Sequence, residues 1–388
     1  MAGASPERLA PLAMLERLVS FDTESQKSNL PLIAFVEDYL RGHGVEIARS
    51  ANAEGDKASI LATIGPRTDG GVVLSGHTDV VPVAGQAWTS DPYRLRVENG
   101  RAYGRGAVDM KAFGALALAL VPEMLATPLR RPIHILLSYD EETTCLGPVE
   151  LISRFGHDLP RPSAVIVGAP PGLEIADAHK SITTFRTTVH GHAAHSSKPA
   201  LGAHAIAAAA DMVAGLSALA DEFVERGDET GRFDPPYTTV HVGTIAGGNA
   251  RNILAKTCTF HWEYRGLPGL DPAVVSERVA ALTEAALARL NRHGPFGRIE
   301  TECEVEVPGL YAEPGSEAER LAMKAAGRNA TITVPYATEA GRFQAAGLPT
   351  VVCGPGSIDQ AHQPDEYISL ADLAAGESFM RRLIAECR

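Results

Sequence analysis

Up to about residue 182 the chain alternates continuous apolar runs with segments whose apolar residues recur at helical spacing. "KASILATIG", "GVVLSGH", "RPIHILLSYD" and "PSAVIVGA" are short runs rich in Val, Ile and Leu, the texture of strands buried on both faces. "ERLAPLAMLERLVSF" and "NLPLIAFVEDYLRGHG" predict helices, the second ending at Gly42 or Gly44, and "DMKAFGALALALVPEMLA" predicts one long apolar helix. Helices between buried strands imply an α/β sheet covered on both sides.

The pattern changes after Lys180. "ITTFRTTVHG" alternates like a half-buried strand, and the helix "ALGAHAIAAAADMVAGLSALADEFVER" follows. Two strands, "PYTTVHVGTIAGG" and "CTFHWEYRGLPG", then a helix "DPAVVSERVAALTEAALARLNRHG" and a strand "ETECEVEVPG" complete a β-α-β-β-α-β order. That order is ferredoxin-like and makes a small domain of its own. From about residue 310 the α/β texture returns with "SEAERLAMKAAGR", "PTVVCGPG" and "LADLAAGESFMRRLIAE". The chain therefore divides into a first domain part at 1–182, an inserted α+β domain at 183–309 and a second part of the first domain at 310–388.

Composition narrows the partners. The formal net charge of -12 argues against nucleic acid or an anionic membrane, both of which recruit basic patches. No apolar stretch reaches the roughly 20 residues that span a bilayer, and the first 25 residues carry charges where a signal peptide is apolar, so a cytoplasmic protein is expected. Cys145, Cys258, Cys303, Cys353 and Cys387 are scattered and form no C-x-x-C pair, which predicts reduced, buried thiols.

In open α/β sheets ligands gather beyond the carboxyl ends of strands. Four such places carry ligand-type side chains: His77 and Asp79 in "SGHTDVVP", Asp109 in "YGRGAVDMKAFG", Asp140 to Glu142 in "SYDEET", and His362 in "GPGSIDQAHQPDEYI". Imidazole and carboxylate suit zinc and ions of similar softness, and an H-x-D pair lets the carboxylate hold the second ring nitrogen. Each place has a plainer role when taken alone: a satisfied histidine, a helix cap for Asp109, a solvated turn for consecutive acids.

Taken together, and with "GNARNILA" and "ATEAGRF", these motifs resemble the acetylornithine deacetylase and succinyl-diaminopimelate desuccinylase branch of the zinc aminoacylase and carboxypeptidase family. The resemblance runs over almost the whole chain. It implies a mixed-sheet, zinc-peptidase-like α/β catalytic domain with an inserted ferredoxin-like dimerisation or lid domain, and a homodimer formed through that insert. It also implies one or two ions, Zn2+ or else Co2+ or Mn2+, with His77 on one side, Asp109 bridging, and Glu142 and His362 on the other. Asp79 would orient His77, the peptide after Asp109 would be cis, and Glu141 would be the general base. His195, in "GHAAHSSKP", matches a lid histidine that reaches the partner subunit's site, and Asn252, Arg265 and Thr338 match positions that hold or flank a substrate carboxylate.

One position departs from the family. Where relatives carry a glutamate that completes the His77 side of the metal pair, "VGAPPG" places Ala169, and a methyl group ligates nothing. One firmly bound ion and a weak or empty second position are expected, with Glu174 or Asp177 the downstream acids that could swing in. The leading function is a metal-dependent amidohydrolase of an N-acyl amino acid, with N-acetyl-L-ornithine the first candidate. The altered loop keeps open a different N-acyl amino acid or small amide, and a third reading is a non-catalytic dimeric amino-acid-binding homologue. Retention of Glu141 beside the metal ligands argues against the third.

Overall fold

Four parallel strands form the centre of the large sheet in the computed structural model, which describes residues 8–388. They are Gly71–His77, Ile133–Ser138, Pro162–Val167 and Thr350–Val352, and they lie in the order Ile133–Ser138, Gly71–His77, Pro162–Val167, Thr350–Val352. Every residue of the first two is buried, as their continuous apolar sequence requires. Antiparallel strands Ala58–Ile64 and Glu46–Ala51 extend one side, and Ile175–His179 and Thr331–Val334 complete the eight-stranded sheet on the other. The sheet is thus mixed, and its parallel centre aims four carboxyl ends the same way.

The expected long apolar helix is two. Lys111–Ala119 ends at Leu120, and Val121–Ala126 starts afresh with Pro122 in its first turn, because proline offers no N–H to continue the ladder. The first of these lies on the sheet over two glycines. A Cβ on Gly168 would stand 2.0 Å from Phe113 Cγ, and one on Gly76 would stand 3.0 Å from Met110 Cε. The Asp109–Met110 peptide just before this helix is cis, as the resemblance implies. The first helix is Pro11–Val19; Glu7, with which its expected segment begins, lies outside the described residues.

The chain divides into two units, one comprising everything up to Ala178 with Leu310–Val334 and Thr338–Arg388, the other His179–Gly309 with Pro335–Ala337. The first division falls after Ala178, a few residues before the 182/183 boundary read from sequence. In the second unit an all-antiparallel sheet runs Thr239–Gly247, Thr257–Arg265, Ile182–His190, Arg298–Val307. With helices Ala205–Arg226 and Pro272–Leu290 this is the ferredoxin-like arrangement. The first of those helices begins later than its apolar pattern suggests, because the His204 ring caps it by accepting from Ala207 N at 3.0 Å. Its core packs Met212, Leu216 and Phe223 with Phe260 and Trp262, and Trp262 stacks on Phe185 with ring centres 4.2 Å apart.

All five cysteines are free, and four are buried, but Cys303 is exposed. It sits on the outer strand Arg298–Val307, most of which faces solvent, so the expectation of five buried thiols fails there. Gly168→Ala is expected to destabilise the protein by about 1–3 kcal/mol through overpacking against Phe113, read as a lower urea midpoint; an unchanged midpoint would show that the helix has room to move.

Candidate active site

His77 is the last residue of its strand and is buried. Its Nδ1 lies 2.8 Å from the Asp79 carbonyl oxygen, and a carbonyl only accepts, so Nδ1 carries a proton and Nε2 faces the site. The Asp79 carboxylate is 3.6 Å from the same ring nitrogen. Its stronger contacts are elsewhere: it accepts from Ser25 Oγ at 2.7 Å and from the backbone N–H of Glu141 at 3.2 Å and of Glu142 at 3.3 Å. Asp79 therefore holds His77 through its backbone and holds the turn bearing both glutamates through its side chain, a division of labour that the H-x-D spacing did not reveal.

Asp109 is presented by the loop after Arg105. Glu366, 1% exposed, binds the Arg105 guanidinium at 2.7 Å and accepts from the backbone N–H of Gly106, Val108 and Asp109 at 3.1, 2.9 and 3.1 Å. Sequence reasoning missed Glu366. The available signal was an acid four residues after His362 and an arginine between glycines before Asp109, both buried only in the folded chain. His362 itself has φ of 62°, a left-handed conformation uncommon outside glycine and typical of functional sites.

These elements bring five of the expected groups together. Asp109 Oδ1 lies 3.1 Å from His77 Nε2, and its Oδ2 lies 3.4 Å from His362 Nε2. Glu142 Oε2 is 3.1 Å from His362 Nε2, and Glu141 Oε2 is 3.8 Å from His77 Nε2. Ligand atoms of His77, Asp109 and Glu142 all fall within 4.8 Å of one another. Behind them Glu339, fully buried, accepts from Ser75 Oγ at 2.6 Å and Ser138 Oγ at 2.7 Å. Neighbouring Thr338 is buried too, and its hydroxyl accepts from Ala340 N at 3.1 Å.

Burial and like charge dominate the electrostatics. Burial raises Glu141 well above the carboxylate range; His77 opposes this, and Glu142 and Asp109 add to it. Burial and Asp109 likewise raise Glu142. Asp109 goes the other way: burial pushes it up, but hydrogen bonds from His362 and His77 hold it well below normal. Burial lowers His77, yet Glu141, Asp109 and Asp79 outweigh that and lift it well above the imidazole range. Bonds to Asp109 and Glu142 carry His362 to about 10. Four acids thus share a buried site with two imidazoles, more carboxylates than the imidazoles can pair if all ionise, and a divalent cation would relieve that repulsion. Imidazole nitrogens and carboxylate oxygens are the donors that zinc, cobalt and manganese take, so the residues fit such an ion.

The remaining expected residues lie elsewhere. Ala169 is buried just beyond the strand Pro162–Val167. The acids considered as substitutes are occupied or remote: Glu174 pairs with Arg328 at 2.8 Å, and Asp177 is on Ile175–His179, three strands from His77. His195, Asn252 and Arg265 belong to the second unit. There the chain around His195 pairs with that around Asn252, Ser196 N donating to Asn252 O at 3.0 Å, and the His195 ring accepts from Ser197 Oγ at 2.8 Å. Arg265 ends the strand that begins at Thr257, so eight rises of about 3.3 Å set it roughly 26 Å from the Asn252 end. It pairs with Glu263 at 3.1 Å.

Residues 73–386 match the profile of Peptidase family M20/M25/M40. The chain belongs to that family. Within it the chain falls on the acetylornithine deacetylase branch, being 35% identical over 366 residues to an acetylornithine deacetylase of Proteus mirabilis (strain HI4320), which covers 94% of this chain and 91% of the relative. The M20 fold is also that of an M20 family metallo-carboxypeptidase from Sulfolobus solfataricus (TM-score 0.76, 18% identity, 97% of this chain and 98% of that one). A tripeptidase from Staphylococcus aureus has a TM-score of 0.74 at 19% identity, with 97% of both chains covered. Like its M20 family, the chain is a hydrolase, and among the described residues no helix is long and apolar enough to cross a membrane.

Because His362 holds its proton up to about 10 in the metal-free protein, an incoming ion must displace that proton throughout the neutral range. Zinc affinity of the stripped protein should therefore rise from pH 6 to 8, by about tenfold per unit for each proton released, with proton release read by calorimetry in buffers of differing ionisation enthalpy. Binding without proton release would contradict the assignment of His362.

Proposed function

We propose that this hydrolase cleaves the amide bond of an N-acyl amino acid in the cytoplasm, with N-acetyl-L-ornithine the first substrate to test. The convergence of His77, Asp109, Glu142 and His362 beside Glu141 carries the reading. Asp109, Glu142 and His362 would hold one ion firmly, and His77 with Asp109 would offer only a weak second position. Such an ion supplies Lewis acidity toward an amide carbonyl and makes water acidic enough to ionise near neutral pH.

This chain's own groups do the proton work. Burial raises the proton affinity of Glu141, which suits it to take a proton from water and return it to the departing amine nitrogen. Asp79 fixes the main chain of the Glu141–Glu142 turn by two backbone bonds, which sets where the base's side chain starts. His77, kept in one tautomer by the Asp79 carbonyl, faces Asp109 with its Nε2.

A homodimer through the inserted unit suits the remaining residues. Thr239–Gly247 is an edge strand with most residues exposed, the kind of edge that pairs with a second copy. In that assembly His195 would serve the partner's site, where it would stabilise the oxyanion, while Asn252, Arg265 and Thr338 would hold or flank a substrate carboxylate. The alanine at 169 favours a second reading, an N-acyl amino acid or small amide other than the ornithine derivative, because this loop follows a strand adjacent to that of His77.

With added zinc, cobalt or manganese, a panel of N-acyl amino acids should include at least one that is turned over, and Glu141→Gln should reduce kcat by about 10²–10⁴-fold. Turnover that survives Glu141→Gln would remove the base assignment, and a panel with no turnover would leave the binding homologue standing. Elemental analysis should find close to one zinc per chain, and Ala169→Glu should bring it toward two; two ions in the unaltered protein would overturn the one-ion reading.

A further inference from the structure

Glu339 opens the short helix Ala340–Ala345, and none of it reaches solvent. Its two carboxylate oxygens accept from hydroxyls on two different strands, Ser75 Oγ at 2.6 Å and Ser138 Oγ at 2.7 Å. Separations this short are those of O–H donors to an ionised carboxylate. The placement of the two serines gives the contact its meaning. Ser75 lies two residues before His77 and, at strand period, on the same face of the sheet. Ser138 is the register partner of His77 on the adjacent parallel strand, and Glu141 follows three residues later. One side chain, more than 200 positions away in sequence, thus joins the two strands at the level where they release the site residues.

The two hydroxyls have poor alternatives. Ser138 Oγ has the Gly76 carbonyl at 3.5 Å as its other acceptor, at the limit of a hydrogen bond. Without Glu339 the serines would be under-satisfied polar groups in the centre of an apolar sheet. Burial raises the Glu339 carboxyl, and the bonds from Ser75 and Ser138 act against that by favouring the ionised form, which would put a negative charge close behind a site that must attract a dication.

We propose that Glu339 is a positioning residue of the hydrolytic centre: a buried anionic strut that sets the gap between His77 and the Glu141–Glu142 turn and so prepares the site for a divalent ion. The proposal rests on the reading of that centre as a metal site, but its test does not depend on knowing the substrate. Glu339→Gln keeps the shape and removes the charge, Glu339→Asp is one methylene too short to reach both serines, and Ser75→Ala with Ser138→Ala removes the donors while leaving the acid.

Full-length protein stripped of metal is titrated with zinc against a chromophoric chelator, and its urea midpoint is measured without metal. Each of the three changes should weaken zinc about tenfold or more, the size expected of groups that orient metal ligands, while the metal-free midpoint of Glu339→Gln stays equal or rises. Combining Glu339→Gln with the serine pair should add no further loss, since both act through one contact. On any substrate turned over, kcat should fall and KM stay within twofold. Zinc affinity within twofold of the unaltered protein in Glu339→Gln would overturn the proposal; so would a fall in metal-free stability that tracks the loss of zinc, because the residue would then merely hold the fold. Unaltered protein that binds zinc but cleaves nothing would sink the proposed function and leave the strut to be judged on the titration.

Discussion

The structure turns on a concentration of buried negative charge at the carboxyl ends of parallel strands. Asp79, Asp109, Glu141 and Glu142 meet there with only His77 and His362 to offset them, and Glu339 lies fully buried behind. Ionised carboxylates are costly to bury unless paired. Four of the five have close partners: Ser25 and two backbone amides for Asp79, both imidazoles for Asp109, His362 for Glu142, two serines for Glu339, while among the described residues Glu141 has only the His77 ring at 3.8 Å. The apolar sheet and the helix over Gly76 and Gly168 supply the rigid frame that keeps those pairs in place.

Much of this frame could be read in the chain because burial writes itself into sequence. Val72, Val73 and Leu74 followed by His77 mark a strand end bearing a polar group, and Ile133 to Leu137 followed by Asp140 to Glu142 repeat the sign. The ferredoxin-like order of the inserted unit showed in its alternating strands. What stayed hidden depends on contacts remote in sequence. Ser75 and Ser138 look like ordinary strand residues until Glu339 meets them, and Glu366 looks like one acid in a polar loop until Arg105 and three amides converge on it. Short elements such as Glu46–Ala51 and Thr331–Val334 carry too little apolar pattern to announce themselves. Pro122 is plain in the sequence, but the run of Ala and Leu before it continues the apolar helical pattern and masks the break that proline makes.

Ala169 gives the family pattern a local twist. The strand that leads to it pairs in parallel with the strand of His77, yet the residue offers no donor, and neither Glu174 nor Asp177 replaces it. On the other side His362 lies 3.4 Å from Asp109 and 3.1 Å from Glu142, and these three would be the ligands of the proposed ion. The proposed function therefore places the ion mainly on that side, beside Glu141, which lies 3.8 Å from His77.

Anomalous X-ray scattering at the zinc edge, from crystals grown with zinc, tests the central claim most directly. The account predicts a strong peak enclosed by Asp109, Glu142 and His362, with a weaker peak or none beside His77 and Ala169. A site empty of signal, with zinc found only on the surface, would contradict it.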